Sequence, residues 1–202
     1  MKTRLPIYVC LIAFLTLATG CAFTKSTVQI NYRPPVFANK VSIDKVITVE
    51  KLNDLRGGDP FLLSYKGVET KTSGTYVTDK EVADIITDSI KKTLTALNYK
   101  IADNQGDLVL SGDLLKLDST PIMGFWSGDL DCTIQINLKL SDGKTGKLLW
   151  SDIFTGFNKE TGLQVDSEEH RKVTTEAAIG DLMQKLAASA GFKSAVQNYA
   201  GQ

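Results

Sequence analysis

Histidine is almost missing from this chain: His170 is the only one in 202 residues. A histidine-based triad needs that ring beside a nucleophile and a carboxylate. His170 instead falls among Glu168, Glu169 and Arg171 at the start of an expected helix, which points to solvent and an incidental role. Cysteine is scarce as well, with Cys10, Cys21 and Cys132 only. A zinc site draws on about four ligands, and one histidine with one spare cysteine does not supply them. No metal and no cofactor are therefore expected. Charge of one sign is lacking, since Lys+Arg and Asp+Glu both number 23. With no basic cluster either, nothing favours nucleic acid as a partner. A lasting transmembrane helix needs roughly 20 consecutive apolar residues, and no stretch reaches that length. There is no internal repeat.

What is present begins at the N-terminus. Lys2 and Arg4 precede an apolar run, 5–19, that closes on Leu17-Ala18-Thr19-Gly20-Cys21. A basic start, an apolar middle and small residues before a cut are the layout of a secretory signal peptide. With cysteine after the cut, the stretch resembles the lipobox of bacterial lipoproteins. That resemblance implies cleavage between Gly20 and Cys21, a diacylglycerol on the Cys21 sulfur and a fatty acid on the new amino group. Each buried acyl CH2 contributes about 0.8 kcal/mol, so three chains would make release from a membrane negligible. Ala22, where an aspartate would favour the inner membrane, implies by the same resemblance an outer-membrane protein facing the periplasm. The division is then a signal peptide at 1–20, a lipidated tether at 21–40 stiffened by Pro34-Pro35, and a single α+β domain at 41–202. Removal of 1–20 leaves 21 basic and 23 acidic residues. Cys132 remains without a disulfide partner and is expected to be buried in the core.

Periodicity supplies the fold expectation. Within 41–50, Val41, Ile43, Ile47 and Val49 mark one face of a strand. A short strand near 28–32 is an option. The stretch 52–77 has no clear period and is read as a long loop, with a small hairpin around 61–65 and 75–77 as an alternative. Thr78-Asp79-Lys80-Glu81 has capping-box spacing. Val82, Ile85, Ile86, Ile90, Leu94 and Leu97 then draw a helical stripe, which Asn98 can end in a left-handed turn. Leu108, Leu110 and Leu114 line a second strand. Leu130, Cys132, Ile134, Ile136, Leu138 and Leu140 alternate with polar residues in a third. Asp142-Gly143 begins a turn, and 148–157 returns with apolar residues on both faces, leaving its inward side open. A second helix opens at Asp166-Ser167-Glu168-Glu169, and a short amphipathic piece follows at 192–199. The order β-α-β-β-β-α predicts an α+β domain, mostly antiparallel, with one parallel crossover and both helices on one face.

These elements carry a second resemblance. The Cys21 lipobox, the Pro34-Pro35 tether, the strand 41–50, Asp54-Leu55-Arg56, the helix ending Leu97-Asn98-Tyr99-Lys100 and the hairpin 128–157 together resemble the YajG-type family of outer-membrane lipoproteins. The order of elements is more loosely similar to the auxiliary lipoproteins of lipid-transporting ABC systems. The first family has no assigned catalytic residues, so the resemblance implies none here. Its members lead one to expect a shorter loop at 57–77.

Four further stretches bear on chemistry. Asp129 and Asp131 share a strand face, with Asp113 expected on a neighbouring strand. Paired carboxylates about 5–9 Å apart hydrolyse glycosides, but a solvated sheet face is the favoured reading, because no pocket-forming aromatics surround them on that face. Gly143-Lys144-Thr145 lacks the earlier glycine of a phosphate loop, because Leu138 stands there, and reads as a turn. Ile122, Met123, Phe125 and Trp126 lie in a stretch, 121–126, between two strands. Exposed, they would form a contact patch for a partner or for lipid; folded back, they would close the core, the reading that burial statistics slightly favour. Asp54, Arg56 and Asp59 are candidates for an ion pair pinning the long loop. The expected function is a lipid-anchored, non-enzymatic binding or accessory lipoprotein of the bacterial cell envelope, meeting the membrane through its lipid and another envelope protein as partner. The alternatives are a periplasmic hydrolase on the acidic sheet face and a lipid carrier with an apolar cavity between helices and sheet.

Overall fold

A computed structural model describes residues 24–199, except 39, 42, 69, 70 and 125. The expected signal peptide, the expected cleavage site at Gly20 and the expected lipidation residue Cys21 lie outside the described residues. The strands are β1 (Thr24–Val28), β2 (Val46–Val49), β3 (Asn53–Asp54), β4 (Leu62–Val68), β5 (Lys71–Thr78), β6 (Lys100–Ala102), β7 (Leu108–Met123), β8 (Gly128–Asp142) and β9 (Leu148–Leu163). The helices are α1 (Val82–Ala96), α2 (Glu168–Ala188) and α3 (Ala190–Gln197).

The larger sheet runs β6-β2-β7-β8-β9, with β3 also pairing β7. β2 is parallel to both β6 and β7, while β7, β8 and β9 form an antiparallel meander. The domain is α+β and its pairing is mostly antiparallel, with parallel pairs at β2 and β1, so the sheets are mixed rather than purely antiparallel. β8 alternates buried and half-buried residues along its whole length, as its period of two requires. Cys132 is fully buried on that dry face, its Sγ 3.9 Å from the Thr175 hydroxyl. Burial pushes the thiol up to about 12. A thiol reagent is therefore expected to label the native domain only as fast as it unfolds. Rapid labelling under native conditions would place Cys132 on the wet face instead.

The core fills the space between this sheet and the helices. Ile86, Ile90 and Leu94 of α1 and Ile179, Leu182 and Leu186 of α2 meet Ile134, Ile136 and Leu138 of β8 in one cluster. On β9, Phe154 is the buried side, and Ile153 and Phe157 face outward. α2 crosses β9 at Gly156, where a Cβ would lie 2.3 Å from the Ala178 carbonyl oxygen and 2.6 Å from Leu182 Cβ. Only glycine permits that approach.

α1 ends as expected. Asn98 has φ +72°, its N–H bonds the Thr95 carbonyl, and the Tyr99 N–H reaches the Leu94 carbonyl, the two bonds of a Schellman motif. Its start differs from the capping-box expectation. Thr78 is the last residue of β5 and donates its hydroxyl to the carbonyls of Phe61 and Lys80. The helix begins at Val82, whose N–H bonds the Pro60 carbonyl, and Glu81 makes no side-chain cap. The first expected strand is shorter than 41–50. The Val41 N–H bonds the Leu97 carbonyl and Asn98 donates to the Val41 carbonyl, so this segment serves the C-terminus of α1 before the chain enters β2.

The largest difference is a second sheet, order β1-β5-β4. β1 is parallel to β5, Thr24 opposite Gly74, and β4 and β5 form an antiparallel hairpin. Part of the expected tether and most of the expected loop are thus paired structure. Beyond β1 the chain lies across the helices. The Asn31 N–H bonds Glu176 of α2 at 2.7 Å, and buried Tyr32 meets the Thr93 hydroxyl of α1 at 3.2 Å.

Candidate functional site

The sequence singled out Ile122, Met123, Phe125 and Trp126. β7 continues through Met123, and Pro121, Ile122 and Met123 stand opposite Leu130, Asp129 and Gly128. The hairpin tip is 124–127, closed by the Gly124 N–H on the Ser127 carbonyl at 2.9 Å. Ile122 is 48% exposed and Trp126 85% exposed. The reading that folds this stretch back as core is therefore corrected for both residues. Ladder pairing to β8 holds it in line with the sheet. Phe125 and the side chain of Met123 lie outside the described residues.

The acidic sheet face comes apart. Lys159 of β9 stands 2.8 Å from Asp129 and 3.8 Å from Asp131, and its hydrogen bond holds the Asp129 carboxyl below the ordinary value. Asp113 is opposite Asn137, not Asp131, which at about 3.3 Å per residue puts it roughly 20 Å along the strand. There it accepts from Asn53, Lys139 and Asn137. A general acid needs a raised pKa, and Asp129 and Asp113 are both shifted downward.

His170 is not simply in water. Its Nδ1 lies 2.8 Å from Glu160 of β9, whose other oxygen accepts from the Thr174 hydroxyl at 2.8 Å. The bond ties α2 to the sheet.

Beside it is a junction that sequence reasoning missed. Arg171 is fully buried. Its Nε and Nη2 donate to the two carboxylate oxygens of Asp166 at 2.8 and 2.9 Å. Nη1 donates to the carbonyl and hydroxyl of Ser119 on β7 at 2.5 and 3.0 Å. The guanidinium lies 5.0 Å from the ring centre of Tyr76 on β5, whose hydroxyl donates to the Asp166 carbonyl at 3.3 Å. One side chain thus joins helix, large sheet and small sheet. The signal was there: Arg171 falls in register with Thr175, Ala178, Leu182 and Leu186 on the buried stripe of α2.

Two open grooves flank this frame. One, of about 710 Å³, lies where Tyr32 and Arg33 cross Lys92 of α1 and Lys172 and Gly180 of α2. The other, of about 480 Å³, lies between β4 and β7, bordered by Arg56, Ser64, Tyr65, Asp118 and Pro121. Arg56 forms the expected ion pair, its Nε and Nη2 on both oxygens of Asp54 at 2.9 and 2.6 Å. It also donates to the carbonyls of Leu62 and Pro60. Burial opposes ionisation of Asp54, but the Arg56 bonds outweigh it and the carboxyl sits below its ordinary value. Asp59 takes no part in the pair and accepts from the Phe61 N–H instead. The buried Ser64 hydroxyl has no partner among the described residues. No group of three metal-binding side chains converges among them either.

No family model matches this chain, and no curated protein sequence does. Solved structures do. Protein XCC0632 of Xanthomonas campestris, assigned to DUF330, is similar over 86% of this chain and 96% of its own, with 16% identity and a TM-score of 0.58. A minor lipoprotein from Acinetobacter baumannii aligns over 77% of this chain and 93% of its own, with 13% identity and a TM-score of 0.44. The hypothetical protein CT253 of Chlamydia trachomatis aligns over 79% and 98%, with 10% identity and a TM-score of 0.45. The Xanthomonas likeness shows a shared fold.

Proposed function

We propose that the chain is a lipid-anchored accessory or binding protein of the bacterial cell envelope, held through Cys21 to the periplasmic face of the outer membrane and similar in kind to the YajG-type lipoproteins. The observation that carries this reading is Leu17-Ala18-Thr19-Gly20-Cys21, the lipobox pattern set just ahead of a folded domain. A binding rather than enzymatic role is supported by the pairing of Asp129 with Lys159 and of Asp113 with Lys139. The carrier alternative loses support because the layer between helices and large sheet is filled by fully buried side chains. Both large grooves among the described residues are solvent-open and lined by polar and apolar groups together, and another envelope protein is the partner they suit.

The test is Cys21→Ser, made in the full chain and expressed in a Gram-negative host. Wild type is expected in the outer-membrane fraction with lipid on Cys21 by mass spectrometry. The variant is expected as an unlipidated precursor. Wild-type protein that carries no lipid there, with a variant that fractionates identically, would sink the reading.

A further inference from the structure

Resting on the lipid-anchor reading above, the distance from anchor to domain is short. Cys21 stands three positions before Thr24, where β1 begins. At no more than about 3.6 Å per residue, those three steps span at most about 11 Å. The bilayer surface must therefore lie beside the Thr24 end of β1.

The pairing shows what else is at that end. Thr24 is opposite Gly74 of β5, and Gly74 is opposite Lys66 of β4. Lys66 Nζ reaches the Thr24 hydroxyl at 3.3 Å. β7 runs the same way as β4. Asp54 pairs with Leu114, and Arg56 beside it bonds the Leu62 carbonyl, so the two strands leave from one place. Leu117 then packs on Val28 and Leu63. Further on, Pro121 shares a groove with Tyr65 and a crevice with Asp166, which accepts the Tyr76 hydroxyl. Moving along β7 from Leu114 to Pro121 is thus moving along β1 from Val28 toward Thr24. The next residues outward are the β7–β8 tip.

That tip is apolar and exposed. Trp126 and Ile122 project there, joined by exposed Val165, which borders the crevice with Pro121 and Gly128. Tryptophan concentrates at membrane–water interfaces, where an apolar ring with one polar edge suits the headgroup level. We propose that the β7–β8 tip is a second membrane contact, with Trp126 and Ile122 seated in the interfacial region of the leaflet that holds the Cys21 lipid. The contact is weak alone. The short anchor makes it intramolecular, so its effective concentration is high. Together the two contacts fix how the domain stands on the membrane.

The experiment uses the full lipidated protein in vesicles of phosphatidylethanolamine and phosphatidylglycerol, with and without brominated acyl chains. The chain has two tryptophans, Trp126 and the half-buried Trp150. Brominated lipid is expected to quench emission and the spectrum to shift to the blue. Both effects are expected to be lost in Trp126→Phe, which should melt with wild type because the side chain is exposed. Quenching that is absent, or unchanged in Trp126→Phe, with lipid verified on Cys21, overturns the membrane contact and leaves the anchor standing. Crosslinking of Trp126 to an envelope protein in place of lipid overturns it too. Wild-type protein without lipid on Cys21 overturns the anchor, and this contact with it.

Discussion

Replacing Arg171 with leucine is expected to destabilise the domain by about 3–5 kcal/mol, the range for removing one partner of a buried ion pair. For a domain of this size that corresponds to a drop of about 6–20 °C in melting temperature. The size follows from what is stranded. Asp166 loses both donors to its carboxylate, and the buried Ser119 carbonyl and hydroxyl lose theirs. Leucine also cannot replace the cation held over Tyr76. Arg171→Lys keeps the charge but not the planar fork that serves Asp166 and Ser119 at once, so it should recover only part of the loss. Thermal melts of the three proteins decide the matter. A leucine variant within about 2 °C of wild type would mean that the junction contributes nothing net.

Phe192→Ala is expected to cost a similar amount, about 3–5 kcal/mol for a fully buried aromatic, with a local signature. Phe192 is the anchor of α3. Its ring centre lies 5.7 Å from that of Tyr99 and 5.4 Å from that of Trp150, the latter edge-on. Ser189 caps the helix by accepting from the Phe192 N–H. α3 has 8 residues, and helices shorter than about 12–15 residues are marginal in water without packing. Removing the ring should therefore release α3 before the rest of the domain. Urea denaturation gives the global loss, and hydrogen exchange should show 190–197 losing protection ahead of β8. Uniform loss of protection would mean that α3 is not a separable unit.

What the sequence made legible, and what it hid, has physical causes. β8 could be read residue by residue, because one face is dry and the other wet along its whole length. The α1 stripe and its Asn98 terminus could be read for the same reason. The small sheet could not. β1 is Thr-Lys-Ser-Thr-Val, and only Val28 among them is buried. Gly74, which falls in the expected loop 52–77, is a strand residue: a Cβ there would lie 2.0 Å from the Thr24 carbonyl oxygen, so β1 can approach only because the side chain is missing. Arg171 hid behind its charge, since long polar residues at a helix start usually point to water. Of the candidate contact residues, Ile122 and Trp126 were identifiable by their apolar run, but their exposure was not, because it depends on how far β7 extends before the turn at 124–127.

The parallel alignment of β1 with β5 has a mechanical consequence. Tension entering at residue 24 pulls along the axis of β1, and five residues from Thr24 to Val28 are registered on β5 side by side. Such a load does not peel the strand away one hydrogen bond at a time. It strains the ladder in shear, so the bonds resist together and rupture needs them to fail nearly at once. The inter-strand bonds of a parallel pair are evenly spaced, which spreads the force along the strand. A hairpin strand pulled from its open end would instead unzip. A pull on the chain at residue 24 thus meets the geometry that tolerates the greater load.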